Sequence, residues 1–302
     1  QGRFLRQQGR LDEAVRVLQS ATLLVPDDPA LWSELAHALR WQGRYGPAEE
    51  SARKALSVDV DHATALFNLG AILTDTGRID DGIAAYRRAL QIKPEFAEAW
   101  SNLGMVLGMI GKPGEEIDAY RRALAVNPAL AMIWSNLGSA MAGQGQFDEA
   151  IEACRRAVSV DAGYAVGWSN LADVLRQAGS FDEALSACGK ALQIEPGMAS
   201  AWLNLAVLCI ETGDRNEAES AFRRAVELDA SLAAAWSGLG GVLERRDAIE
   251  EAITAHERAV SIDRGNATWL GNLVRAYWKA KRSEKAVVAL KGAKIGRHTS
   301  EL

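Results

Sequence analysis

Apolar residues in this chain fall three and four apart in short runs, and the runs recur every 34 residues without an insertion or deletion. Between Ala97 and Leu130, one run is Trp100, Leu103, Gly104 and Leu107, and the next is Ile117, Tyr120, Ala123 and Leu124. Each has the spacing of one face of an α-helix. Gly111 separates them, in a column with Gly9, Gly43, Gly77, Gly145, Gly179 and Gly213. Glycine suits the end of a helix, where a positive φ is often required. The second run opens on acidic residues, as in Asp148-Glu149 and Asp182-Glu183, which suit the partial positive charge of a helix N-terminus. Pro128 closes the unit, as Pro26, Pro94 and Pro196 close theirs, because proline cannot continue a helix interior. No segment reads as a strand, so the pattern predicts an all-α chain of helix-turn-helix units.

Two further columns carry the period. Trp32, Leu66, Trp100, Trp134, Trp168, Trp202, Trp236 and Leu270 form one, and Ala21, Ala55, Ala89, Ala123, Ala157, Ala191, Ala225, Ala259 and Ala293 form the other. A fixed period of this length means a solenoid of stacked two-helix units. Gly104 and Ala123 beside the bulk of Trp100 predict helices that interlock closely. A length of 302 residues would ordinarily suggest two domains. In a solenoid each unit contacts only its neighbours, so residues 1–302 are expected to form a single array. Its parts are a truncated repeat at 1–28, full repeats at 29–62, 63–96, 97–130, 131–164, 165–198, 199–232 and 233–266, and a divergent repeat at 267–302. The first unit lacks its aromatic residue, and no extra polar helix follows the last. Both ends are therefore expected to be cuts in a longer chain.

The runs Trp100-Ser-Asn-Leu103-Gly104 and Ala218-Glu-Ser-Ala-Phe222, with Pro128 as terminator, resemble the signature of the tetratricopeptide repeat (TPR) family. The resemblance implies a right-handed superhelical solenoid whose first helices line the inner surface. It also implies a protein or extended peptide as partner, without saying which. Departures from the pattern mark special units. His256 stands in the aromatic column of Tyr86, Tyr120 and Phe222, and Asp247 and Lys281 replace the turn glycine.

Composition adds exclusions. The chain is 48% hydrophobic and 24% charged, with a formal net charge of −5, which is small and of the wrong sign for nucleic acid binding. No apolar stretch approaches the ~20 residues of a membrane span, and Gln1 to Arg10 lacks an apolar signal centre. A cytoplasmic location is expected. Cys154 and Cys188 share the column of Tyr86 and Phe222, and Cys209 that of Leu107, so all three read as small core residues. His37, His62, His256 and His298 fall in unrelated columns with no metal-ligand spacing. No phosphate-binding glycine loop or nucleophile–histidine arrangement is present. Neither a metal, a cofactor nor intrinsic catalysis is expected.

The candidate binding signal is a column of asparagines, Asn68, Asn102, Asn136, Asn170, Asn204 and Asn272, each two residues after the aromatic column. In the family geometry that offset faces the inner surface. Asparagine is a mediocre helix former, costing up to ~0.7 kcal/mol against alanine, but its carboxamide both donates and accepts. A column of them could hold a ligand backbone without reading its side chains. The rival reading is that each asparagine bonds a neighbouring helix. A similar column is associated with the TPR superhelices of O-GlcNAc transferases. The alternative function is therefore the substrate-recruiting region of a larger enzyme, such as a bacterial glycosyltransferase of that kind. Around the column the inner face should present His37, Arg40, Phe67, Asp75, Met105, Met109, Asp173, Arg176, Leu203, Glu211, Arg275 and Trp278. For Met105 and Met109, core filling is the competing reading. Self-association through the array ends is a third possibility for the partner.

Two charge patterns complete the picture. Arg87-Arg88, Arg121-Arg122, Arg155-Arg156 and Arg223-Arg224 lie on second helices near acidic residues and read as solvated ion pairs. The last unit, Ala267 to Leu302, carries eight Lys and Arg against Glu284 and Glu301, a charge of +6 that leaves −11 for the rest. With Trp269 and Trp278 outside the aromatic column, it reads as an interface or junction.

Overall fold

The computed structural model describes residues 10–290; Gly9, Lys291, Ala293, Lys294, Arg297 and His298 lie outside the described residues. The chain divides into two compact units, Gln1–Gln144 and Gly145–Leu302. The first contains α1 (Leu11–Leu24), α2 (Pro29–Trp41), α3 (Tyr45–Val58), α4 (Ala63–Asp75), α5 (Ile79–Ile92), α6 (Ala97–Met109), α7 (Pro113–Val126) and α8 (Ala131–Ala142). The second contains α9 (Phe147–Val160), α10 (Ala165–Gln177), α11 (Phe181–Ile194), α12 (Ala199–Thr212), α13 (Arg215–Leu228), α14 (Ala233–Arg245), α15 (Ile249–Ile262) and α16 (Ala267–Lys279). Residues 283–290 are also helical. Among the described residues there is no strand.

Within each unit the expected helix pairs form hairpins, α2 with α3, α4 with α5 and α6 with α7 in the first, and α10 with α11, α12 with α13 and α14 with α15 in the second. Successive first helices also touch: α2 meets α4 and α4 meets α6, and likewise α10, α12, α14 and α16 in order. Successive second helices do not approach this closely among the described residues and are joined by long charged side chains instead. Within each unit the first helices therefore line the tighter, inner side.

The alanine column is where neighbouring hairpins come closest. From Ala55 to Ala259 all seven alanines are fully buried. Ala191 shares its core cluster with Ala201 of the next first helix, and Ala225 with Ala235. Within a hairpin the close approach is between the glycine after the leucine and the aromatic column. A Cβ on Gly70 would lie 2.9 Å from the Tyr86 ring, and one on Gly104 would lie 2.7 Å from the Tyr120 ring. Where the column shrinks to Cys188, its counterpart grows to Ala172, and both are fully buried. Ala206 stands opposite Phe222 by register. There the Phe222 ring sits 2.3 Å from where a Cβ of Gly238 would be, in the next repeat. The glycine that interrupts the asparagine column is thus required by packing.

The tryptophans behave differently from the expected core bulk. All six in the column are half-buried, and each donates its indole N–H to a carbonyl six residues earlier. The acceptors are Pro26, Pro94, Pro128 and Pro196 at 2.7–2.9 Å, and Ala162 and Ala230 at 3.0 Å. The indole pins the turn between repeats to the next first helix. A cation from the following second helix covers its face in three repeats: Arg122 over Trp100, Lys190 over Trp168 and Arg258 over Trp236.

The turn column holds its expected geometry. Gly43, Gly77, Gly111, Gly145, Gly179 and Gly213 have φ between 72° and 93°, and Asp247 and Lys281 adopt φ 63° and 58°. A left-handed conformation costs a residue with a Cβ about 1–2 kcal/mol. Gly111→Ala should therefore lower stability by about 1 kcal/mol in a denaturant titration, and Lys281→Gly should raise it by a few tenths. Opposite signs at these two positions are the outcome to check.

Candidate functional site

The asparagine column lies on the inner first helices, and its amide donors are largely engaged by the preceding repeat. Asn68 donates to the Ser33 carbonyl at 2.9 Å and hydroxyl at 3.0 Å. Asn204 reaches the same two atoms of Ser169 at 3.3 and 3.1 Å, and Asn272 reaches the Ser237 hydroxyl at 3.0 Å. In each case the serine lies 35 residues back. Where Phe67 replaces that serine, Asn102 turns to the Tyr86 hydroxyl at 3.5 Å. The rival reading of the column thus holds for these donors, which join neighbouring helices. Asn68 is only 3% exposed, so it is an inter-repeat bond and offers a ligand little. Asn102, Asn136, Asn170, Asn204 and Asn272 are half-buried. For Asn102, Asn204 and Asn272, no donor among the described residues reaches Oδ1.

The two units differ in what surrounds this column. In the first, Met105 is 50% and Met109 72% exposed, so neither fills the core. Trp41, unremarked in the sequence, is 63% exposed and donates its indole N–H to His37 Nε2 at 2.7 Å. Arg40 is neutralised by Asp75 at 2.7 Å. Phe67 is drawn inward, packing on Tyr86 and Phe96 with ring centroids 5.9 and 4.9 Å apart. It therefore belongs more to the core than to the open face. This inner face is apolar and carries little net charge.

In the second unit the inner face is ionic. Arg176 bridges Asp173 at 2.9 Å and Glu211 at 2.8 Å, and Leu203 is half-buried beside them in register. Further along, Glu244 of α14 accepts from Lys279 at 2.7 Å and Arg275 at 3.4 Å, and its other oxygen lies 3.1 Å from His256 Nε2. Trp278 is 54% exposed. Burial favours the neutral form of Glu244, but Lys279 and Arg275 outweigh it and hold the carboxyl below the usual range. Sequence reasoning missed this cluster because Glu244 and His256 lie in different columns and meet only across the hairpin.

Outside the inner face, the chemistry-bearing residues serve the scaffold. Arg87 pairs with Glu115, Arg155 with Glu183 and Arg223 with Glu251, each 28 residues on in the next second helix. These pairs are half exposed and each contributes little. A groove lined by Trp32, Leu35 and Lys54 recurs in register at Trp168, Leu171 and Lys190, as repeat geometry demands. All three cysteines are buried, and burial pushes the thiols of Cys154 and Cys188 up to about 12 and that of Cys209 up to about 11. Thiols so raised are protonated at neutral pH and are poor nucleophiles. Among the described residues no three His, Cys, Asp or Glu side chains gather as a metal site. Among the same residues no helix is long and apolar enough to cross a membrane.

Comparison with known proteins identifies the repeat. Tetratricopeptide repeat profiles match residues 175–240 and 110–165, and the profile of the middle TPR-like domain of cilia and flagella-associated protein 70 matches residues 6–125. Among solved structures, the APC/C hetero-tetramer Cut9-Hcn1 is similar at a TM-score of 0.69 and 15% identity. That match covers 88% of this chain and 52% of the other, so the chain spans about half the length of that relative. The MamA protein is 27% identical at a TM-score of 0.50, covering 57% of this chain and 93% of that one. YrrB, described as a TPR protein with an unusual peptide-binding site, is 22% identical at a TM-score of 0.52, covering 61% and 95%. No curated protein sequence matches the chain. The chain is an all-α solenoid of tetratricopeptide repeats, the architecture of a protein-interaction scaffold.

His256 gives this region a pH signature. Its side chain is fully buried, and its Nδ1 has no hydrogen-bond partner among the described residues. Burial holds the imidazole below the ordinary histidine range, against the opposing pull of Glu244. As pH falls below ~6.5 the unfolded chain binds a proton that the folded His256 resists, so stability is lost. Thermal melts of wild type and His256→Phe on either side of pH 6 check this. The wild type should lose more stability on acidification, and equal losses would assign the titration elsewhere.

Proposed function

We propose that the inner face of the first helices binds an extended peptide or protein segment, and that the chain performs no catalysis of its own. The observation that carries this reading is the state of the asparagines. The amides of Asn204 and Asn272 are held in place by donating to serines of the repeat before, and Asn102 by donating to Tyr86. Holding the nitrogen fixes the orientation of the oxygen, and no donor within the described chain engages that oxygen. A column of oriented acceptors can take backbone N–H groups from a ligand at low reorganisation cost. Asn136 and Asn170 continue the column in register. A backbone N–H is common to nearly all residues, so this grip is tolerant of sequence. Discrimination falls to the side chains beside it: Met105 and Met109 in the first unit, and Asp173, Arg176, Arg275 and Trp278 in the second.

Asn102→Ala should weaken binding of unrelated peptides alike, by about 0.5–1.5 kcal/mol, the net contribution of a typical hydrogen bond. Asn68→Ala should lower the melting temperature, because it removes a buried bond to Ser33, and leave affinity unchanged once folded. Arg176→Gln should change which peptides bind, since charges govern specificity. Fluorescence titrations against a panel of random-sequence peptides, with melts on the same samples, read all three. If Asn102→Ala and Asn68→Ala both affect only stability, the column is structural throughout and this reading fails.

A further inference from the structure

The inner face of the second unit changes sign along its length. On α10 and α12 one cation, Arg176, lies between two carboxylates, Asp173 and Glu211. On α14 and α16 the ratio is inverted, and one carboxylate, Glu244, lies beneath two cations, Arg275 and Lys279. Exposed Arg245 adds a third, one repeat before Lys279 in the same register. The chain as a whole is acidic, so this excess is local.

The cluster is also preorganised. The Glu244 side chain is 4% exposed while those of Arg275 and Lys279 are 55% and 46% exposed, so a buried anion anchors two cations whose heads face water. Arg275 uses only Nε toward Glu244, and no acceptor among the described residues engages its two Nη groups. A guanidinium held in this way presents a free edge to a second carboxylate. Trp278, adjacent in sequence to Lys279, adds an exposed aromatic face.

We infer that this surface of α14 and α16 docks an acidic segment that also carries an apolar side chain. Its carboxylates lie against Arg275, Lys279 and Arg245, and its aromatic or aliphatic group lies against Trp278. The inference rests on the peptide-binding reading above and adds the partner's chemistry. Charge complementarity decides it. The neighbouring surface at Asp173 and Glu211 repels acidic residues, so an acidic segment is steered to the α16 end rather than spread along the unit. The apolar requirement separates this partner from a simple polyanion, which would have no use for Trp278.

The test uses the full chain and three fluorescein-labelled probes. They are the acidic peptide Gly-Glu-Asp-Phe-Glu-Asp-Gly, its neutral counterpart with Gln and Asn in place of Glu and Asp, and a random single-stranded RNA. The expected result is affinity for the acidic peptide about tenfold or more above that for the other two, weakening as salt rises. Combining Arg275→Gln and Lys279→Gln should abolish the preference. Glu244→Gln is added to that variant so that no buried carboxylate is stranded. Trp278→Ala, at an exposed position that does not threaten the fold, should weaken the acidic peptide several-fold. Lys281→Gln with Lys285→Gln removes two positive charges elsewhere in the last repeat and should leave it unchanged. Equal binding of acidic and neutral peptides overturns the inference while sparing the peptide-binding reading, and absence of any peptide binding overturns both. Preferential RNA binding, or equal losses in the Lys281/Lys285 variant, likewise overturns it.

Discussion

The distance between neighbouring hairpins is set at the alanine column, and most of the structure follows from it. Seven successive alanines with no exposed surface leave room there for a methyl group and nothing larger. An added methylene at such a contact forces the helices apart or strains a rotamer. Each tryptophan of the column meets the turn carbonyl six residues behind it. Asn68, Asn204 and Asn272 each meet a serine 35 residues back in the same way. Register, rather than any single strong bond, keeps the inner face in order. Solenoids distribute stability in this way, as a sum of unit and nearest-neighbour terms.

Substitutions within the repeat show how closely paired its positions are. Tyr86 and Tyr120 face glycines, Cys188 faces an alanine, and Phe222 reaches across to Gly238. His256 occupies the aromatic position against Gly240, 2.5 Å from where a Cβ would be, and it brings a buried carboxylate, Glu244, with it. That carboxylate in turn holds the cations of α16. A polar residue in a core column thus propagates to the surface and changes the electrostatic character of one end of the inner face.

Much of this was legible in the sequence, and the rest was not, for physical reasons. Helix boundaries, turn glycines and the buried alanines and cysteines follow from local spacing, which the 34-residue period repeats many times over. The asparagine column was visible, but its use was not, because the partner serine sits in another repeat and its distance depends on helix spacing. The spacing alone does not signal the bond: Ser33 and Asn68, Ser169 and Asn204, and Ser237 and Asn272 form it, whereas Ser101 and Asn136 share the spacing and do not. Phe67 was assigned to the open face by register and is drawn inward by Phe96, a residue of the turn before the next repeat. Met105 and Met109 could not be placed by hydrophobicity alone. Only the geometry of α6 shows that they point away from the core.

The central claim is that the inner face of the first helices is the binding surface while the second helices serve the scaffold. Methionine methyl NMR tests it most directly, because the probes and their controls are native to the chain. Met105 and Met109 are exposed on α6, whereas Met141 is 4% and Met198 8% exposed. Addition of a peptide selected from a random library against the full chain should shift the methyl signals of Met105 and Met109, or the indole signal of Trp278 if the peptide docks on α14 and α16, and leave those of Met141 and Met198 in place. Saturable binding that leaves Met105, Met109 and Trp278 all unmoved, or that moves only the buried pair, would contradict the account.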